Sequence, residues 1–311
     1  MARSGPLEQS SEQTAPLPNG IELCYDTFGD RDRPALLLVM GLAGPLNWWH
    51  PDLCQLLAQR GFFVVRFDNR DVGRSTKLHG VGGTRRGVVT GFARVGAPPP
   101  YTLSDMAGDA VGLLDHLGLA QAHVTGVSMG GMIAQTLALE HPARVSSLVS
   151  IMSTTGRRTV GWQDPRLLPI LLARPPRTRE EAIAQSARTW SIIGSPAYPT
   201  SSHEIHSRAA ETFDRGRSTA GVVRQMQAVL AQPDRTEALR RLDIPALAIH
   251  GLADRLVHVS GGRATASAVP GAELLVVPGM GHDLPQALWP LFADGIERTA
   301  TRTKLAVDGR P

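Results

Sequence analysis

The chain has 311 residues, a formal net charge of +4, 42% hydrophobic residues and 19% charged residues. That balance supplies a sizeable core and excludes a disordered chain. The arginines are scattered, in small groups such as Arg85-Arg86 and Arg240-Arg241, and no recognition motif accompanies them, so nucleic acid is not expected as a partner.

Residues 1–18, rich in Ser, Glu, Gln and Pro, read as a flexible N-terminal tail with no apolar stretch of signal-peptide length. No run anywhere in the chain has the ~18 consecutive apolar residues of a membrane span, and the expected location is cytoplasmic. Residues 21–28 alternate apolar and polar, as a half-buried edge strand does, whereas 35–40 are continuously apolar, as in a strand buried on both faces. A helix over 52–59 stops at Gly61, and 62–67 form the next strand. Strand, helix and strand at this spacing imply parallel pairing. The two cysteines, Cys24 and Cys54, fall in a strand-like and a helix-like run and read as buried free thiols, which suits a reducing compartment.

The stretch 77–100, with its glycines and the triple proline 98–100, reads as a surface loop that could border a substrate entrance. Ser104 is a candidate N-cap for a helix ending at Leu117-Gly118. Strand 123–127, helix 128–139 and strand 145–151 follow, so the β-α-β alternation repeats. The fold class is α/β, a mostly parallel sheet flanked by helices. Between 152 and 242 prolines break the pattern into short amphipathic helices with no buried strand, which predicts a helical cap inserted over the sheet edge. Strands resume at 246–249 and 273–277, and a last helix covers 289–298. The division is a core over 19–152 and 243–300, a cap over 153–242 and a flexible C-terminal tail over 301–311.

Gly126-Val127-Ser128-Met129-Gly130 matches G-x-S-x-G. The bare pattern is weak, but here it joins a buried strand to a helix, which the near miss Gly216-Arg217-Ser218-Thr219-Ala220 does not. Such an elbow strains the serine backbone, and a Cβ two positions away on either side would obstruct it. Ser128 is the candidate nucleophile. A serine hydroxyl needs a base, and among the ten histidines His282 sits in a Gly-rich loop directly after the last strand. His250 ends a strand and suits a supporting role. His116, His123 and His141 fall on helix or strand positions, and His203 and His206 miss the i, i+4 spacing of a zinc helix. Asp254, after strand 246–249, completes the order Ser, acid, His. Asp243 lies at the wrong end of that strand, and Asp283 adjoins the histidine too closely to face its ring. Backbone N–H donors for an oxyanion are expected from Met129 and from Leu42 in the loop after 35–40. Trp48 and Trp49, just beyond that loop, are candidate substrate contacts. Trp162, Trp190, Phe213, Met226 and the leucines over 167–172 are either pocket lining or cap core.

With the turn Arg66-Phe67-Asp68-Asn69-Arg70-Asp71-Val72-Gly73-Arg74-Ser75 and the segment Pro278-Gly279-Met280-Gly281-His282, these motifs resemble the α/β-hydrolase superfamily over residues 19–300. Within it they are most similar to aclacinomycin methylesterases and related bacterial lipase-esterases. The resemblance implies hydrolysis of a small-molecule carboxylic ester with no cofactor and no metal. Two positions depart from the pattern: Met40 stands where many relatives have His before Gly41, and His258 replaces a proline after the acid. Haloalkane dehalogenases and epoxide hydrolases share the fold but need a carboxylate nucleophile. Thioester or lactone hydrolysis, acyl transfer, and a ligand receptor with residual turnover stand as the alternatives.

Overall fold

The computed structural model describes residues 8–82, 88, 98–167 and 176–308. Its framework is an eight-stranded sheet ordered β1-β2-β4-β3-β5-β6-β7-β8. The strands are β1 (Gln13–Pro16), β2 (Glu22–Phe28), β3 (Ala35–Val39), β4 (Phe63–Phe67), β5 (Ala122–Val127), β6 (Val145–Ile151), β7 (Ala246–Gly251) and β8 (Glu273–Val277). The first two pairings, β1 with β2 and β2 with β4, are antiparallel, and every pairing from β4 to β8 is parallel.

The apolar run of β3 shows why the sheet needs helices on both faces. Leu37 and Val39 join one buried cluster and Leu36 and Leu38 the other, because successive side chains of a strand point to opposite faces. Helices α2 (Leu103–His116) and α3 (Met129–Glu140) cover the first face; α1 (Pro51–Gln59) and the last helix, α9 (Trp289–Asp308), cover the second. Thr102, not Ser104, caps α2: its hydroxyl accepts from the Asp105 N–H while Asp105 answers the Thr102 N–H, a reciprocal capping box. Between β6 and β7 lie α4 (Arg179–Ile193), α5 (Ser202–Asp214), α6 (Thr219–Ala231) and the short α7 (Thr236–Leu239), with no strand among the described residues. Helix α8 (Ser260–Ala268) links β7 to β8.

The tails differ from expectation at both ends. Gln13–Pro16 pairs with β2, and Gln9 bridges Phe28, so residues 8–18 are not a loose tail. Glu12 fixes this strand further through ion pairs to Arg74 and Arg215. At the C-terminus, α9 runs on through Asp308, past the expected end near 298–300. Cys24 and Cys54 are free and buried. Most of the expected loop 77–100, and the leucines beyond 167, lie outside the described residues. No helix among the described residues is long and apolar enough to cross a membrane.

Candidate active site

The strand order reverses between β3 and β5: the chain leaves β3 toward β4 on one side and returns to β5 on the other. In open parallel sheets that reversal opens a crevice at the carboxyl ends of the two strands. Here those ends carry the Met40–Gly44 loop and the Ser128 elbow.

Ser128 has φ 55° and ψ −119°, a left-handed-side conformation that a non-glycine residue adopts only when its surroundings enforce it. The enforcement is visible at the flanking glycines. A Cβ on Gly126 would stand 2.1 Å from the Gly130 carbonyl oxygen, and one on Gly130 would stand 2.1 Å from that of Val39. Helix α3 can therefore begin directly over β3 and β5. Ser128 occupies its N-cap position, yet the hydroxyl makes no capping bond and so is left for other partners. The Ser128 N–H donates to the Ile151 carbonyl at 2.8 Å, and its carbonyl accepts from the Ser153 hydroxyl at 2.8 Å, which pins the elbow to the end of β6.

The oxyanion-loop candidates lie against this elbow, where a Cβ on Gly41 would meet the Ser128 Cβ at 3.2 Å. Neither Leu42 nor Met129 has an acceptor for its backbone N–H among the described residues. Three bonds hold the loop: Asn69 Nδ2 donates to the Met40 carbonyl at 3.0 Å, Ala43 N–H to Gln225 Oε1 at 2.9 Å, and Leu46 N–H to Asp68 Oδ1 at 2.6 Å. The loop is thus ordered by hydrogen bonds from the turn 66–75 and from α6, with no polar side chain at position 40. The same turn spends its charges inward. Arg66 pairs with Asp26, Arg70 with Asp109, and Asp71 with Arg224 of α6.

His282 Nδ1 lies 2.8 Å from Asp254 Oδ2. The other carboxylate oxygen accepts the Leu256 and Val257 N–H groups, each at 2.9 Å. Burial opposes ionisation of Asp254, but the charge of His282 and the hydrogen bonds of His250 and His282 outweigh it and hold the carboxyl well below the usual carboxylate range. His250 is fully buried behind it: its Nε2 lies 2.8 Å from the Val257 carbonyl, so it donates there, and 3.4 Å from Asp254 Oδ2. His282 is fixed from the cap side too, because its N–H donates to the Ile193 carbonyl at 2.7 Å and Gly281 N–H donates to the Ser195 hydroxyl at 2.8 Å. Ser195 in turn donates to Asp283, whose carboxyl burial pushes up.

Ser128, His282, Met40, Leu42 and Trp48 line one cavity of about 340 Å³, together with Leu167, Trp190 and Phe213. Trp49 departs from expectation. It is 1% exposed and packs in the core with Leu53 and Leu57, because the short helical turn Leu46–Trp48 ends there and neighbouring side chains diverge. Trp162 lies in a neighbouring cavity of about 500 Å³ that shares Trp190, Arg208 and Asp283 with the first, stacked on His258, and Met226 lines neither cavity. Asp243 is exposed at the start of β7, away from these groups. Sequence reasoning missed Ile193, Ser195 and Arg208; the first acts through its backbone, and none carries a motif.

The family model for the alpha/beta hydrolase fold matches residues 34–285. The chain is 28% identical over 303 residues to rhodomycin D methylesterase DnrP of Streptomyces peucetius, covering 89% of this chain and 94% of that protein. It is 30% identical over 249 residues to 3-oxoadipate enol-lactonase 2 of Acinetobacter baylyi, covering 78% and 80%. Among solved structures, an esterase, RhEst1, from Rhodococcus sp. ECU1013 superposes with TM-score 0.71 at 22% identity, covering 94% of this chain and 99% of that one.

Proposed function

The chain belongs to the α/β-hydrolase fold family, and from that premise we propose that it hydrolyses a carboxylic ester through an acyl-enzyme on Ser128. The observation that carries the proposal is the 2.8 Å bond from His282 to a buried carboxylate, with His282 and Ser128 facing one cavity. The methylesterase and enol-lactonase relatives support the same chemistry, since each name describes opening of an ester linkage.

In this reading Asp254 holds the proton of His282 on Nδ1, leaving Nε2 as an acceptor. Ser128 Oγ attacks the ester carbonyl while Nε2 takes its proton. The oxyanion forms against the N–H groups of Leu42 and Met129, at the N-terminus of α3 where negative charge is favoured. Collapse expels the alcohol, which takes the proton from His282. Water, deprotonated by the same nitrogen, then attacks the acyl-enzyme, and Ser128 regains its proton as the acid leaves.

Ser128→Ala is expected to fold normally and to lower kcat on an activated ester by roughly a thousandfold or more. An organophosphate is expected to add covalently at Ser128 in the wild type. Retention of over about a tenth of wild-type activity in the variant, or an adduct mapped to another residue, overturns the assignment.

A further inference from the structure

Arg208 carries a guanidinium with no carboxylate in contact among the described residues. It projects from α5 between two indoles, its guanidinium carbon 4.5 Å from the Trp190 ring centre and 5.6 Å from that of Trp48. Those rings meet edge to face at 5.7 Å, and Trp48 is fixed by its Nε1–H donating to the Thr212 hydroxyl at 2.9 Å. The Arg208 Nη2 is buried without a hydrogen-bond acceptor, and the residue forms no ion pair among the described residues. Glu204 and Asp283 act on it only at longer range, and Asp283 is engaged by Ser195. The buried arginines Arg66, Arg70 and Arg224 each have a carboxylate against them, and Arg235 is met instead by the Gln135 and Gln232 side-chain oxygens and the Thr154 carbonyl.

Arg208 stands on the wall shared by the cavity that holds Ser128 and His282 and the neighbouring one beside Trp162, and Arg217 lines the first of these as well. Burial weakens the charged state of both guanidiniums, yet an arginine stays protonated at neutral pH. A buried guanidinium that faces a cavity and lacks an internal acceptor is compensated by an anionic ligand, and its planar fork suits a carboxylate held by two parallel bonds. Resting on the ester-hydrolase reading above, we propose that the substrate carries a free carboxylate that pairs with Arg208, placing the scissile carbonyl over Ser128. The substrate class is then a half-ester of a dicarboxylic acid, or a lactone bearing a carboxylate. The flanking Trp48 and Trp190 would hold the chain between the two ends by its apolar surface.

The test uses mono-4-nitrophenyl esters of adipic, pimelic and suberic acids against the same esters with the far carboxyl capped as methyl. Nitrophenolate release gives kcat/KM for each pair, and the ratio of acid to capped ester cancels losses common to both. In the wild type this ratio is expected to reach roughly ten- to a hundredfold for the best chain length, mostly through KM. It should fall to about one or below in Arg208→Met and be partly kept in Arg208→Lys. The proposal is overturned by a wild-type ratio at or below one for all three lengths, by a ratio unchanged in Arg208→Met, or by a ratio lost only in Arg217→Met. Should Arg208→Met not fold, competitive inhibition of the wild type by the free diacids, against their dimethyl esters, decides instead. Tighter inhibition by the diacids that weakens with added salt supports the pairing, and equal or weaker inhibition overturns it. If neither ester of a pair is hydrolysed, the ester-hydrolase reading has failed; calorimetric titration of the diacids into wild type and Arg208→Lys still tests the anion site separately.

Discussion

Replacing Asp254 by Asn separates its charge from its shape, and the hydrogen bonds dictate the outcome. One carboxylate oxygen accepts two backbone N–H groups, from Leu256 and Val257, each at 2.9 Å, and only the amide oxygen of Asn can take that position. The amide NH2 is then aimed at His282 Nδ1, across the present 2.8 Å contact. Nδ1 must become the acceptor, Nε2 carries the proton, and the imidazole can no longer receive one from Ser128. The expected loss in kcat is about ten-thousandfold, equivalent to about 5.4 kcal/mol at ~1.36 kcal/mol per factor of ten, with KM little changed. The assay is steady-state hydrolysis of 4-nitrophenyl butyrate at saturation, with folding checked by circular dichroism. Asp243→Asn, at an exposed position, and Asp283→Asn, whose amide oxygen can still accept from Ser195, should stay within about tenfold of wild type. A near-normal Asp254→Asn beside a collapsed Asp283→Asn would refute the reasoning and move the acid to Asp283.

Gly130→Ala places a Cβ 2.1 Å from the Val39 carbonyl oxygen, in strand β3, which cannot yield without breaking its pairing; a loss of several kcal/mol is expected, read as a thermal midpoint lowered by more than about 8 °C or as insoluble protein. An unchanged midpoint rejects the tight elbow. Asp71→Leu and Arg224→Met each strand one member of a fully buried pair and should cost about 3–5 kcal/mol apiece, whereas the double variant should cost less than their sum in urea unfolding; strict additivity counts against direct coupling. Stability should also decline in acid. Against the burial that raises them, His282 and His250 hold the Asp254 carboxyl below its ordinary value, and Arg224, Leu78 and Tyr101 do so for Asp71. Depressed folded-state values contribute stability that is complete above the unfolded carboxylate pKa of about 3.9 and lost as pH falls below it. The urea midpoint should therefore drop as pH falls below about 4 toward the depressed folded-state values, and drop less in Asp71→Asn; an equal drop would show that Asp71 does not contribute.

Ser128, His282 and Asp254 were legible because each follows a strand whose apolar run is unmistakable, β5, β8 and β7, and the chain order of the three is itself informative. Strand β1 was not: in Gln13–Pro16 only Ala15 is buried, and four residues with one buried position carry no period. The cap of α2 was misplaced by two residues because Ser104 and Thr102 are both suitable; the Asp three residues after Thr102 decides it. Trp48 and Trp49 are indistinguishable by sequence position, and only the path of the turn sends one to the cavity and the other to the core. Arg208 is one of the chain's many arginines and sits on an amphipathic helix. Its lack of a carboxylate partner is a property of the folded surroundings and leaves no trace in the residue order.

The contact between the end of α4 and the loop after β8 decides how specificity can be exchanged between relatives. His282 rests its N–H on the Ile193 carbonyl, and a Cβ at Gly281 would stand 2.4 Å from the Gly194 carbonyl oxygen, so the two segments fit as one piece. A graft of helices α4 to α6 from another hydrolase would replace the wall of the pocket and, with it, the ledge that seats His282. The portable module is therefore discontinuous: residues 193–197 travel with 279–283, and a chimera cut between them inherits a new pocket over a misaligned histidine.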